Sequence, residues 1–443
     1  MSKSKSITLL TIISVLMAAI IAMSFVRFSV GVKDYNSLLG AIKQDYDIAG
    51  GVAYTLTLNE NNDTEVSDID SVVKTLESRL DKLGHTTYMV KPIKSTDSEV
   101  IDSQIRIEVL NNGYTSGDVM AVAAYGELKF YGSESNEDLT NQILEDIDVV
   151  ESASYLGQSA DGAPILQIVF TEEGEEALLD TVGSASTYYL KATCGLDKNG
   201  EEVTVLNLQF DKQYLIDRAI TITVGSGSIQ QTKQMAMQLA EGGIAYRYDI
   251  SDGVEVESPY GQDIGLKSVI AIGAIILVAI VLLFALYRGL GVMTVLSFIL
   301  FILAEGWLLI GIPDIVVNMG SIVGIIAAIL ICLFSMITLA QRIKNEYANS
   351  EKTAKAAINK GFTQSLLPTI NLHVVAGIIV VALFIATKSV VKSFAITCGI
   401  GIIVSLIATL VFTRMFNSLV LPLVKDKEKF LRFKRAEKAN EEA

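Results

Sequence analysis

SVIAIGAIILVAIVLLFALYRGLGVMTVLSFILFILAEGWLLIGI, residues 268–312, decides the fold. It holds one base, Arg288, and one acid, Glu305. A helix needs about 20 apolar residues to cross a hydrocarbon layer ~30 Å thick. Each side of Tyr287-Arg288-Gly289 supplies that number, so the stretch predicts two membrane spans, 268–286 and 291–312, joined by a tight loop. Four other runs have the same character, at 7–27, 317–340, 365–387 and 393–424. The first follows a short basic start, Lys3 and Lys5, as a secretory signal does. Its apolar part is long and no small-residue cleavage site follows, so it is expected to stay as an anchor.

The rest of the composition agrees. The chain has 443 residues, is 51% hydrophobic and has a mean hydropathy of +0.45. Residues 29–266 carry 40 acids and 15 bases, a net of −25, and the remainder carries 9 acids and 20 bases, a net of +11. That split is expected of a water-exposed domain attached to a membrane bundle, and so acidic a domain excludes nucleic acid as a partner. Lys and Arg near the span ends number 15 on one side (Lys3, Lys5, Arg288, five at 342–360, seven at 425–438) and five on the other (Arg27, Lys33, Lys267, Lys388, Lys392). The richer side is cytoplasmic. The reading is therefore an anchor span (1–28), an extracytoplasmic domain (29–266), a five-span bundle (267–425) and a basic cytoplasmic tail (426–443).

The outer domain reads as α+β. GGVAYTLTL (50–58) is a strand. SDIDSVVKTLESRLDKLG (67–84) is a helix, with Ile69, Val72, Val73, Leu76, Leu80 and Leu83 on one face, Asp68 or Ser67 at its start and Gly84 at its end. TTYMVKPI and SQIRIEVL follow as strands, then a helix near 116–124 and the strand ELKFYG. The order βαββαβ is the ferredoxin-like arrangement, giving a base at about 45–131. A similar unit, the head, is expected at about 150–250, with Thr171 opening an acidic helix. The chain shows no Ser/His/Asp set, metal-ligand cluster, cofactor motif or phosphate loop, so no enzyme is expected. Cysteines 194, 332 and 398 have no redox or zinc spacing.

Laid end to end, these pieces resemble the SecD/SecF family of protein-export membrane subunits. DYDIAGGVAYTL (45–56) is similar to the family's opening motif, with Asp47, Gly50 and Gly51 at motif positions. ESRLDKLGHTT (77–87), EGGIAYRYDI (241–250), the YRG loop, QRIKNE, the Gly361-Phe362 pair and SFAITCGIGIIVSLIATLVFTR (393–414) stand where the family pattern puts them. The resemblance implies six spans forming half of a resistance-nodulation-division-type bundle, set beneath a ferredoxin-like extracytoplasmic domain. It also implies a bacterial cytoplasmic-membrane protein with both termini inside. Its partners would be a six-span SecF-like subunit, the SecYEG translocon, unfolded exported polypeptide and the lipid bilayer. The implied role is assisting export at the expense of the proton gradient. The alternative is a resistance-nodulation-division-type transporter of small molecules or lipids, though such chains usually have twelve spans and two outer domains.

The family carries acidic motifs in spans four and five, whose fourth-span Asp the resemblance marks as the proton carrier. At those positions this chain has Phe334-Ser335-Met336 and Asn371-Leu372-His373. Phe334, Met336, Asn371 and His373 thus occupy relay positions without an acid. Phe334 and Asn371 are expected at similar depth, facing each other across the bundle. His373 is expected to bond to Asn371 or to a carbonyl freed by Pro368. The remaining intramembrane acid is Glu305. A charge at the bilayer centre costs at least ~2.5–3.5 kcal/mol, so Glu305 should face the bundle or a partner. Glu305 and His373 are the possible substitute proton sites.

Overall fold

The computed structural model describes residues 3–30, 33–60, 66, 68–94, 100–113, 115–133, 149–182, 186–196, 201–225, 227–312, 315–349 and 353–431. The distal basic tail, from 432, lies outside the described residues. The chain forms two compact units, Gly50–Ser258 and a helical unit made of Met1–Ala49 with Pro259–Ala443.

The helical unit is a bundle of apolar helices, and the chain is a multi-pass membrane protein. Its first helix, α1, is Lys3–Phe25. The segment Ile264–Gly311 is helical throughout except at Arg288, which has φ 49° and ψ −112°. That break divides it into α2 (264–287) and α3 (289–311), which double back on each other. A Cβ added at Gly291 would lie 2.5 Å from the carbonyl oxygen of Leu283, whereas eight residues of continuous helix would separate the two by about 12 Å. The bundle continues with α4 (Met319–Ala348), α5 (Ala354–Ala386) and α6 (Ser389–Ile407). A π turn, Ala408–Phe412, leads α6 into a helix Thr413–Val420, and a short helix Lys427–Leu431 follows. Asn318 caps α4 through Ser321 N–H, and Thr353 caps α5 through Ala356 N–H.

Helices α4 and α6 meet along a seam of small residues. Added Cβ atoms at Gly320 and Gly324 would lie 2.1 Å from the Val390 carbonyl and from Thr397 Oγ1, and one at Gly401 would lie 2.2 Å from the Ala328 Cβ. Positions 320, 324 and 328 share one face of α4, and small residues there let the backbones close up. The Thr397 hydroxyl donates to the Ser321 carbonyl at 3.1 Å across the same seam.

The unit Gly50–Ser258 holds eleven strands among the described residues: β1 (Gly51–Leu58), β2 (Tyr88–Lys94), β3 (Val100–Val109), β4 (Leu128–Ser133), β5 (Val150–Gln158), β6 (Pro164–Phe170), β7 (Thr187–Leu196), β8 (Glu202–Asp211), β9 (Ala219–Thr223), β10 (Tyr248–Ile250) and β11 (Val254–Val256). The helix Ile69–Leu83 forms as its sequence predicts. Asp68 accepts from the N–H groups of Asp70 and Ser71, and Gly84 closes it in the left-handed region at φ 93°. Thr171 caps the helix Glu172–Val182 through Gly174 N–H at 3.0 Å.

One strand assignment is overturned. The base sheet runs β10-β1-β3-β2, all antiparallel, with β11 also on β1. Its outer strand is YDI at 248–250, not ELKFYG. Strand β4, built from LKFYGS, instead pairs with β7 in the sheet β8-β7-β4. The base therefore includes residues beyond 131, and the head is inserted between its second helix and its last strand. The physical reason is burial: Phe130 packs with Leu166, Phe170, Tyr188 and Leu190, a core separate from that of Leu56, Leu76, Ile105 and Ile107. The head has a second sheet, β9-β6-β5.

Arg79 ties the base to the head. It is 1% exposed, and its guanidinium donates to the carbonyls of Val122 at 2.8 Å and Gly242 at 2.9 Å. Its Nε lies 3.5 Å from Glu241.

Candidate functional site in the helical bundle

The polar groups of the apolar helices divide into those that face outward and those that converge. Phe334 of α4 is 59% exposed, and Asn371 of α5 is exposed as well. The expectation that they face each other across the bundle is therefore not met: neither side chain lies in the interior. Met336 is fully buried, two residues from Phe334 and on the opposite side of α4. His373 is 3% exposed. Its expected bond to Asn371 is not made, because residues two apart on a helix point in different directions.

His373 uses both ring nitrogens. Nδ1 lies 2.8 Å from the Thr369 carbonyl, one turn earlier on α5, and Nε2 lies 2.9 Å from Ser405 Oγ on α6. A carbonyl only accepts, so Nδ1 carries the hydrogen and Nε2 accepts from the Ser405 hydroxyl. The carbonyl that Pro368 frees is that of Gln364. It accepts from Arg342 at 3.1 Å, not from His373.

Glu305 of α3 is 2% exposed, and its Oε1 has no hydrogen-bond partner. The carboxyl rests on the backbone of α6, since a Cβ at Gly401 would lie 2.5 Å from Oε1. Ser405 follows Gly401 by one turn of α6. Facing them from α4 is Cys332, fully buried, close to the hydroxyls of Ser405 and Thr409 and within electrostatic reach of Glu305. Thr409 lies in the π turn and its Oγ1 also has no conventional hydrogen-bond partner. Four helices thus bring Glu305, Cys332, His373 and Ser405 to one buried place. Among the described residues no group of three or more His, Cys, Asp or Glu is arranged to hold a metal ion.

Sequence reasoning named Glu305 and His373 but missed Ser405, Thr409 and Cys332. A signal was there. Ser389, Ser393, Thr397, Gly401, Ser405, Thr409, Thr413 and Asn417 recur every fourth residue. On an α-helix such a run drifts by about 40° per step, and the π turn, with more residues per turn, takes part of the drift back.

The opening-motif residues do structural work. Asp47 Oδ2 accepts from the Met319 N–H at 2.8 Å, at the start of α4. Burial is the main cause that raises its carboxyl to about 6. Gly50 has φ 76°, and a Cβ there would lie 2.5 Å from the Val256 carbonyl; at Gly51 it would lie 1.9 Å from that of Val109. The pair lets β1 lie between β3 and β11.

The family signature described as "Protein export membrane protein SecD/SecF, C-terminal" matches residues 247–420, the stretch that contains α2 to α6. The "Protein translocase subunit SecD" of Acidaminococcus fermentans is 23% identical over 424 residues, covering 93% of this chain and 91% of its own. These matches support a SecD-family protein. The SecD of Dictyoglomus turgidum is 22% identical and covered over 97% of its length. Among solved structures, SecDF in its "Super-membrane-facing form" superposes with a TM-score of 0.67 at 18% identity, over 95% of this chain. The chain spans 58% of that longer one. The "Protein translocase subunit SecDF" of Brucella abortus is 21% identical and covered over 51% of its length.

Proposed function

We propose that the chain is a non-enzymatic auxiliary subunit of the Sec protein translocase, a six-span SecD with a ferredoxin-like base in its outer domain. In this reading both termini are cytoplasmic and Gly50–Ser258 faces outward, where it meets unfolded polypeptide leaving the SecYEG channel. Movements of the bundle are passed to that domain. The observation that carries it is coverage: two SecD relatives match over 91% and 97% of their own length. The break at Arg288, with its reversal of direction, supports the sixth span.

The partner is a SecF-like half-bundle. Fused SecDF chains are nearly twice as long as the part this chain matches. The exposed side of α4 and α5 suits such a partner. Asn371 lies there in an apolar helix, and an amide facing lipid lacks the hydrogen bonds that a neighbouring helix supplies.

Deleting the chain should slow the export of precursor proteins, and the tagged chain should copurify with a SecF-like subunit. Unchanged export kinetics in the deletion strain, with no such copurifying subunit, would end this reading. Orientation is open to a direct check. Cys194, Cys332 and Cys398 are all buried, so a Glu172→Cys variant should react in intact cells with a membrane-impermeant maleimide over a low background.

A further inference from the structure

We propose that Glu305, Ser405 and His373 form one internal proton-binding site, in which a single proton is held by Glu305 or by His373 and passes between them through the hydroxyl of Ser405. The inference rests on the export reading above and deepens it: it locates a proton carrier in a chain whose family relay positions, Phe334 and Asn371, have no acid.

Hydrogen-bond direction makes the argument. Because Nδ1 donates to the Thr369 carbonyl, neutral His373 presents Nε2 as an acceptor, and Ser405 donates to it. The Ser405 oxygen then has its lone pairs left to accept from the other side, where the Cys332 thiol lies. The donor chain therefore points from α4 toward His373. When Nε2 gains a proton it becomes a donor, Ser405 must accept from it, and the hydroxyl hydrogen turns back toward Cys332 and Thr409. Each link passes one hydrogen and receives one: the Glu305 O–H gives its proton to the Cys332 thiol, the thiol gives its own to the Ser405 oxygen, and the Ser405 hydroxyl gives its own to Nε2. Glu305 has lost its O–H proton, Nε2 has gained one, and the net charge of the buried site is unchanged.

That neutrality is why the site suits a dry bundle. An isolated carboxylate or imidazolium buried without a partner is very costly, and an opposed pair much less so. The titratable groups facing the site are Glu305 of α3, Cys332 of α4, His373 of α5 and Cys398 of α6. Among the described residues, no Lys or Arg interacts with Glu305 or His373. The π turn beside Ser405 is a second mark, because such turns recur at functional positions in helices. Gly401 is a third. Any side chain there would take the space the carboxyl fills.

The test uses the full chain with its copurified partner in liposomes. Difference infrared spectroscopy across a pH titration should show a carboxylic C=O stretch that is lost in Glu305→Gln and shifted in His373→Asn and in Ser405→Ala. A band that is absent from wild type, or indifferent to both His373→Asn and Ser405→Ala, would overturn the site. A band that follows sodium concentration at fixed pH would overturn it in favour of a cation site. In cells, Glu305→Gln and His373→Asn should lose the uncoupler-sensitive part of export, while Ser297→Ala, which removes a buried α3 hydroxyl bonded only within its own helix to the Met293 carbonyl, keeps it. If wild-type export does not depend on the chain at all, the export reading fails and the infrared result still judges the site. Glu305→Asp should retain a carboxylic band, which guards against a simple folding defect.

Discussion

Replacing Arg79 with Met keeps an apolar stem in place and removes the guanidinium that joins the base to the head. Arg79 is 1% exposed and donates to two carbonyls at 2.8 and 2.9 Å. A hydrogen bond to a charged group contributes about 1.5–3 kcal/mol, and removing one partner of a buried network leaves the others unpaired. The loss should be about 3–5 kcal/mol of local stability. The neighbouring contact offers a built-in contrast. Lys82 approaches Glu241 more closely, at 2.6 Å, but is 47% exposed. Screening by water limits such a pair to under about 1 kcal/mol, so Lys82→Met should change little. Hydrogen exchange on the full chain in detergent reads both. Exchange of amides near Val122 and Gly242 should speed up roughly a hundredfold to several thousandfold in Arg79→Met, and less than about tenfold in Lys82→Met. Equal effects, or a larger one in Lys82→Met, would show that distance outweighs burial here and would refute the reasoning.

Asp47 gives a pH test. Its folded pKa, raised to about 6 chiefly by burial, lies above the ordinary 3.8. The folded state therefore binds the proton more tightly, and the ionised form is penalised above pH 6. Wild type should gain thermal stability as pH falls from 8 to 5, and Asp47→Asn, which still offers an oxygen to Met319 N–H, should flatten that slope in a melting series. Gly401→Val should part α4 from α6 and displace Glu305, lowering the melting temperature in detergent by an amount equivalent to about 1–3 kcal/mol or more. Gly51→Ala puts a methyl 1.9 Å from the Val109 carbonyl. It should destabilise the base by a similar amount, seen as faster proteolysis of the β-rich unit, while Gly225→Ala, whose added Cβ meets nothing within 4 Å, leaves the base contacts intact.

Much of the fold is readable from residue order. Arg288 between two apolar runs marks the reversal, and Asp68 and Gly84 mark the ends of one helix because capping is local chemistry. The base strand at 248–250 was not readable in the same way. ELKFYG alternates as convincingly as any strand, and alternation says that a strand forms, not which sheet takes it; that depends on the packing of Phe130. In the bundle, Glu305 and His373 stand out because charge and imidazole are rare in apolar runs. Ser405 does not, since a helical hydroxyl can satisfy itself on its own backbone, as Ser335 does on the Ile331 carbonyl at 2.8 Å. The Asn371–His373 pairing failed for a reason of geometry, two residues being a poor spacing on a helix.

The pairing of Gly51 with Val256 has a consequence of its own. Chain enters and leaves the unit Gly50–Ser258 through adjacent strands, only about 5 Å apart. A module tethered at one point can be lifted out and its stub closed with a short linker, so a bundle without it is an obtainable molecule. Conversely, the sheet at that point cannot be completed until some two hundred residues after its first strand have been made, which leaves the insert to fold as a closed loop before its own doorway is sealed.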